Sequence, residues 1–306
     1  MMIKNEKILI TGGAGSLGKE LTKILCINND IVIYSRNEER QFEMRQEFGD
    51  KNISYMIGDV RDEKTLTDSM RNCTIAIHAA AMKDTIVCEN QAIQTCLNNI
   101  TGSIAFLEAV KKTKTLKKVC GVSTDKAASP SSVYGCSKYI MEQIFREASK
   151  FSDCIVSSVR FGNMIDSRGS IITEWKMNPE KDIKITHMDV ARFFFSVNDG
   201  AMTVIEALNH ASNGELFIKK MKKAKIFNIL KTITGRKKFD VIGLFPGEKV
   251  HEELLSANEC SFCFESDDYY IVKPGKSNPN PPEIFSTLNA SEYSDDELKV
   301  LLNYSN

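Results

Sequence analysis

The chain has 306 residues, 42% of them apolar, enough for one large domain with or without a smaller one attached. Its 40 Lys plus Arg equal its 40 Asp plus Glu, which removes any electrostatic reason to expect nucleic acid or an anionic membrane as the main partner. The 9 cysteines are odd in number and scattered through apolar segments, which suits a reducing compartment and not a disulfide framework.

Residues 7–10 are a short apolar run leading into Thr11-Gly-Gly-Ala-Gly-Ser-Leu-Gly18, and an amphipathic pattern then continues to about Ile27. Strand, glycine turn and helix are predicted in that order. Residues 31–34 predict a second strand, 38–48 a polar helix, 53–57 a third strand ending at Gly58-Asp59, and 62–70 a helix. Residues 74–78 predict a fourth strand before Ala79-Ala-Ala, and 91–111 one long helix. A fifth strand follows at 118–122, a long helix at 133–149 and a sixth strand at 155–161. Past Phe161 the alternation lapses into a helix at 193–208, a short strand at 215–218 and a helix at 225–234. Residues 273–282, rich in Pro, Asn, Gly and Ser, predict a surface loop.

Alternating strands and helices predict an α/β fold, a Rossmann-like doubly wound parallel sheet with a smaller discontinuous substrate-binding lobe. Residues 1–165 are assigned to the dinucleotide-binding domain, with parts of 186–212 returning to it. Residues 166–185 and 213–306 are assigned to the smaller lobe and C-terminal segment. Ligands of such sheets bind at the carboxyl ends of the strands.

Gly13-Ala-Gly15-Ser-Leu-Gly18 fits G-x-G-x-x-G, with a strand before it and a helix after. The glycines let backbone approach a pyrophosphate, and the helix start offers amide donors, so Gly12, Gly15, Ser16, Leu17 and Gly18 are cofactor candidates. The second strand ends in Tyr34-Ser-Arg36, where an NAD site would place an acid. Ser35 and Arg36 suit a 2′-phosphate, which favours NADP. Asp59 and Val60 follow the third strand, and Asp59 is placed to cap an adenine edge or the turn to Arg61. Ala79, Ala80 and Lys83 follow the fourth strand.

Tyr134 and Lys138 lie four apart on a helix and so share a face. A lysine ammonium beside a phenol favours the phenolate, and such a phenol takes the proton of a substrate hydroxyl as hydride leaves the same carbon. Ser123 or Thr124 adds a hydroxyl to the reacting oxygen. Asp125 and Lys126 stand between them at the carboxyl edge of the sheet. Cys260-x-x-Cys263 lacks two further ligands, so no metal is expected.

This combination resembles the extended short-chain dehydrogenase/reductases that act on nucleotide sugars, over nearly the whole chain. Thr124-Asp-Lys126, Ala127, Pro130 and Tyr134-Gly-Cys-Ser-Lys138 are similar to the inverting UDP-N-acetylglucosamine 4,6-dehydratases. So are His78-Ala-Ala-Ala-Met-Lys83, Val159-Arg-Phe-Gly-Asn163, Ser167-Arg-Gly-Ser170 and Pro246-Gly-Glu-Lys-Val-His-Glu252. The resemblance implies that Tyr134, helped by Lys138, serves oxidation at C4. Lys126, its pKa depressed by burial and by Lys138, takes the C5 proton. Asp125 donates to the departing O6, and hydride returns to C6. It also implies that Asn163, Arg168, Gly169 and Ser170 hold the UDP-sugar, with Lys83, Arg192, Lys220 and Glu248 as further contacts, and that Asn99 orders backbone near the site. An epimerase or 4-reductase would use the same tyrosine and lysine and leave Asp125 and Lys126 idle. A non-catalytic NADP-binding sensor is the remaining alternative. The expected partners are UDP-N-acetylglucosamine and further copies of the chain, with no nucleic acid and no membrane. No apolar run reaches the length of a membrane span and no secretory leader is evident, so a cytoplasmic location is expected.

Overall fold

The computed structural model describes residues 3–165, 167, 169–179 and 182–303. β1 (Lys7–Thr11) runs through the middle of the main sheet. Its side chains alternate between two buried layers, Ile8 and Ile10 on one face and Leu9 on the other. α1 (Ser16–Leu25) starts with no side-chain cap. β2 (Asp30–Ser35), α2 (Glu38–Phe48), β3 (Ile53–Ile57) and α3 (Glu63–Ser69) follow. The side chains of Asn37 and Asp62 cap the two helices, as their residue types favour. β4 (Ile75–His78) ends at the alanine triplet.

The single helix expected over 91–111 is interrupted. A short α4 (Thr85–Asn90) precedes it, and α5 (Ala92–Cys96) and α6 (Gly102–Lys112) flank a π-helical turn at Leu97–Thr101. The wider turn brings Asn99 inward, where its amide bonds the main chain of Met82 in both directions, at 2.8 and 2.9 Å. β5 (Lys118–Val122) leads into a 3₁₀ turn at Asp125–Ala127 and then α7 (Val133–Ala148), capped by Ser132. β6 (Ile155–Arg160) completes the first half.

β7 (Asn163–Met164), α8 (Ile171–Met177) and β8 (Lys184–Ile185) follow. The helix expected over 193–208 is corrected at its start. β9 (Ala191–Phe195) is a fully buried strand paired with β7, and α9 (Val197–His210) begins only at the reciprocal Ser196–Asp199 capping box. The aromatic run Phe193-Phe-Phe195 satisfies helical and strand patterns alike, and burial on both faces decides for the strand. The rest of the chain is β10 (Leu216–Lys219), β11 (Lys223–Lys225), α10 (Ile226–Thr234), β12 (Asp240–Val241), β13 (Glu253–Leu255), α11 (Ala257–Cys260), β14 (Cys263–Glu265), β15 (Tyr269–Val272), β16 (Phe285–Ser286) and α12 (Asp295–Asn303).

The main sheet has the order β14-β15-β10-β6-β5-β4-β1-β2-β3. It is parallel from β10 to β3 and antiparallel at the β10–β15 and β15–β14 pairs. It therefore draws in β10, β14 and β15 from stretches assigned by sequence to the smaller lobe. Strand order reverses at β1, between β2 and β4, where doubly wound sheets open a crevice for ligands. The smaller lobe has its own core, which includes Ile165, Ile172, Trp175, Phe194, Leu230 and Leu298. Arg160, at the end of β6 and wholly buried, binds Glu142 of α7 at 2.6 and 3.0 Å and Glu259 of α11 at 2.7 and 2.8 Å. It ties the helix carrying Tyr134 and Lys138 to a later segment of the chain.

Candidate active site

A cavity of about 760 Å³ opens at the carboxyl ends of the parallel strands. Its floor is the glycine turn after β1. Gly12 has φ +67°, and a Cβ there would meet Ala79 and Ala80 main chain at 2.8–2.9 Å. α1 starts at this turn with no side-chain cap, and a helix start of this kind presents amide donors to an anion such as a diphosphate. Gly15, Ser16, Leu17, Gly18, Ser35 and Arg36 line the cavity, and so do Val60, Ala79, Ala80 and Lys83.

Arg40, which sequence reasoning passed over, joins Arg36 on this wall. The signal was present: Asn37 caps α2 by accepting from the Arg40 amide at 2.8 Å, which places Arg40 in the first turn beside Arg36. Asp59 stands outside the lining, because Arg61 holds it with three bonds of 2.7–2.9 Å and draws its carboxyl below the usual range. Lys83 is exposed as a residue, yet its amine reaches Ser167 Oγ at 3.3 Å. Desolvation there, with Arg40 nearby, pulls its pKa down.

The far wall is built by β5, the 3₁₀ turn and α7. Thr124 caps the turn, and its hydroxyl donates to Asp125 Oδ1 at 2.9 Å. Gly135 lets the first turn of α7 press on this segment, since a Cβ there would lie 2.4 Å from the Lys126 carbonyl. Lys126 Nζ donates to Asp125 Oδ1 at 3.0 Å and to Asn163 Oδ1 at 3.3 Å. Thr124, Lys126, Tyr134, Lys138 and Asn163 all line the cavity. Asp125 is wholly buried one layer behind, and its Oδ2 has no hydrogen-bond partner among the described residues; the same holds for Ser123 Oγ, in a residue that lines the cavity.

Lys138 is buried in the same wall, and desolvation pushes its pKa down to about 8 against the opposing charge of Glu142. The Tyr134 phenol was expected to be lowered by this lysine. Burial instead pushes it up, with the Thr124 hydroxyl pulling back, because desolvation of a phenolate outweighs its neighbours here. Asn99 lies behind the wall: its amide donates to Ser137 Oγ at 2.9 Å, and that hydroxyl donates to the Tyr134 carbonyl at 2.8 Å.

On the side of the smaller lobe, Gly169 and Ser170 line the cavity, and Arg168 lies outside the described residues. Arg192, Lys220 and Glu248 do not line it. Arg192 is buried against Glu248 at 3.2 Å, and Lys220 pairs with Glu265 at 2.6 Å, so each of the three charges has a partner within the protein. Sequence reasoning chose Glu248 from the Pro246–Glu252 block, whereas the residue of that block facing Lys126 is Glu252, 3.9 Å away. Among the described residues no group of His, Cys, Asp and Glu is placed to hold a metal ion, and no helix is long and apolar enough to cross a membrane.

A glycine-lined diphosphate cradle and a Tyr-x-x-x-Lys pair at one cavity define a nucleotide-sugar-modifying enzyme of the short-chain dehydrogenase/reductase type. Comparison with known proteins agrees. A protein of Campylobacter jejuni named UDP-N-acetylglucosamine 4,6-dehydratase (inverting) is 34% identical over 99% of this chain and 93% of its own. A UDP-glucose 4-epimerase of Rickettsia canadensis is 30% identical over 89% of this chain and 84% of its own. The X-ray structure of Pen from Bacillus thuringiensis superposes with a TM-score of 0.93 at 32% identity, covering 100% of this chain and 99% of that one. Structures only 17–20% identical share the fold and hold NAD. The chain belongs to the family described as polysaccharide biosynthesis protein, whose pattern matches residues 8–274.

Proposed function

We propose that the protein is a UDP-N-acetylglucosamine 4,6-dehydratase that inverts C5 and uses NADP. The observation that carries this reading is Lys126. It is a second amine at the wall that holds Tyr134 and Lys138, bonded to Asp125 and Asn163 and facing the cavity. Hydride exchange at C4 alone needs no such group. A reaction that also removes a carbon-bound proton does.

A bound nicotinamide would supply the hydride acceptor for C4 and the hydride donor for C6, and the charge of its oxidised ring would favour the Tyr134 phenolate. Gly12, Gly15 and the amides opening α1 hold its diphosphate, while Arg36 and Arg40 receive a 2′-phosphate. Tyr134 accepts the C4 hydroxyl proton, with Thr124 bonding the same oxygen and Lys138 of the same wall as the cation. The ketone at C4 makes the C5 proton acidic. Lys126 removes it, the electron pair enters the C4–C5 bond, and the C6–O6 bond then breaks. Asp125 supplies the proton that lets O6 leave as water. Its partnerless Oδ2 is the oxygen left to carry that proton, and it reaches O6 after a shift of Lys126 or Thr124. Delivery of a proton to C5 from the opposite face inverts that centre. Asn163, Arg168, Gly169 and Ser170 are assigned to the UDP-sugar.

The test is incubation with UDP-N-acetylglucosamine and NADP, then with NAD, followed by mass analysis. The dehydratase loses one water, with a lower KM for NADP. A product of unchanged mass gives the chain to the second reading, a 4-epimerase, which the relative at 30% identity favours. No product from any sugar nucleotide, with cofactor still bound, favours a sensor.

A further inference from the structure

The mechanism above gives Lys126 one carboxylate, Asp125, and the fold brings it a second. Glu252 lies just ahead of β13, at 2% exposure, with Oε1 3.9 Å from Lys126 Nζ and Oε2 3.1 Å from Lys249 Nζ. Its main chain is pinned on both sides: the Glu252 amide donates to Thr287 Oγ1 at 3.2 Å, and the Thr287 amide donates to the Glu252 carbonyl at 2.9 Å. Lys249 is anchored in turn by donating to the Ser129 carbonyl at 2.7 Å. Glu252 Oε2 accepts no hydrogen bond among the described residues. A carboxylate this buried is costly to keep unless something compensates its charge. The titratable groups facing it are Lys126 and Lys249, and those facing Lys126 are Asp125 and Glu252. One end of this line of charges opens into the cavity.

We propose that Glu252 is a positioning residue for proton transfer at C5, holding the Lys126 amine toward the sugar and stabilising the ammonium that forms there. When the C5–H bond breaks, its electron pair moves into the C4–C5 bond, O4 gains negative charge, and the proton bonds to Lys126 Nζ. The amine goes from neutral to cationic at that moment, while Asp125 still holds the proton meant for O6, so the Glu252 carboxylate is the group that favours the charge being created over the state before it. The inference rests on the dehydratase reading.

The test isolates this step. The 4-keto-6-deoxy form of UDP-N-acetylglucosamine with C5 not inverted already carries its ketone and keeps H5 on the face of Lys126, so loss of H5 in heavy water needs that base and no hydride transfer. Proton NMR follows that loss with wild-type protein, E252Q and E252D, and calorimetry measures affinity for the same sugar. E252Q is expected to exchange H5 roughly tenfold more slowly or worse, with affinity unchanged, and E252D, which keeps the charge, to recover part of the rate. Exchange at the wild-type rate in E252Q overturns the proposal. So does loss of exchange and affinity together in both variants, which assigns Glu252 to the fold. Wild-type protein that binds the sugar but exchanges no H5 overturns the dehydratase reading itself, and needs no variant to be seen.

Discussion

At the residue scale, the site shows how burial overrides sequence spacing. The Tyr134–Lys138 spacing says that lysine and tyrosine share a face, and they do, but not that desolvation governs both groups. His78 shows the same effect outside the reaction. It is buried at the end of β4, its ring bonded to Thr11 Oγ1 at 3.0 Å and Ser103 Oγ at 3.2 Å, and stacked near Phe106 and Phe145. Burial and the charge of Lys138 push its pKa from 6.5 down to about 3. Between those values the unfolded chain binds a proton that the folded chain refuses, so His78 costs stability as pH falls from 6.5 toward 3. H78Q is expected to lose less stability than wild type between neutral pH and pH 5, as read from urea midpoints. Equal pH slopes would refute this role.

At the element scale, the strongest link between the reactive helix and the rest of the chain is the Arg160 cluster. One wholly buried guanidinium serves Glu142 on α7, the partly exposed Glu259 on α11 and the Leu254 carbonyl. R160M leaves the buried Glu142 and the partly buried Glu259 without their cation and is expected to cost about 3–5 kcal/mol, measured by chemical denaturation. A loss under 1 kcal/mol would mean that water reaches the cluster. The first six strands and the helices α1 to α3 were legible because apolar runs, glycine turns and caps agree there. The π turn was not, because it arises from Asn99 bonding Met82, a contact between segments that periodicity does not report. The start of α9 was misplaced for the opposite reason: its aromatic run is compatible with both patterns, although Ser196-x-x-Asp199 marked the true start.

At the scale of the whole molecule, the sequence motifs between Gly12 and Ser170 meet at one cavity, and the later ones that do not are instructive. Arg192, Lys220 and Glu248 carry the right charges for a nucleotide, yet each is neutralised by a partner. Glu252 carries the same type of charge in the same block as Glu248 and faces Lys126, a difference only the path of the chain before β13 decides. In the proposed reaction labour is divided, with Tyr134 and Lys138 serving C4 and Lys126 serving C5. Single turnover of K126M with UDP-N-acetylglucosamine and oxidised cofactor tests that division. The expected result is an absorbance rise from reduced cofactor with no loss of water from the sugar. Water loss at the wild-type rate would contradict it.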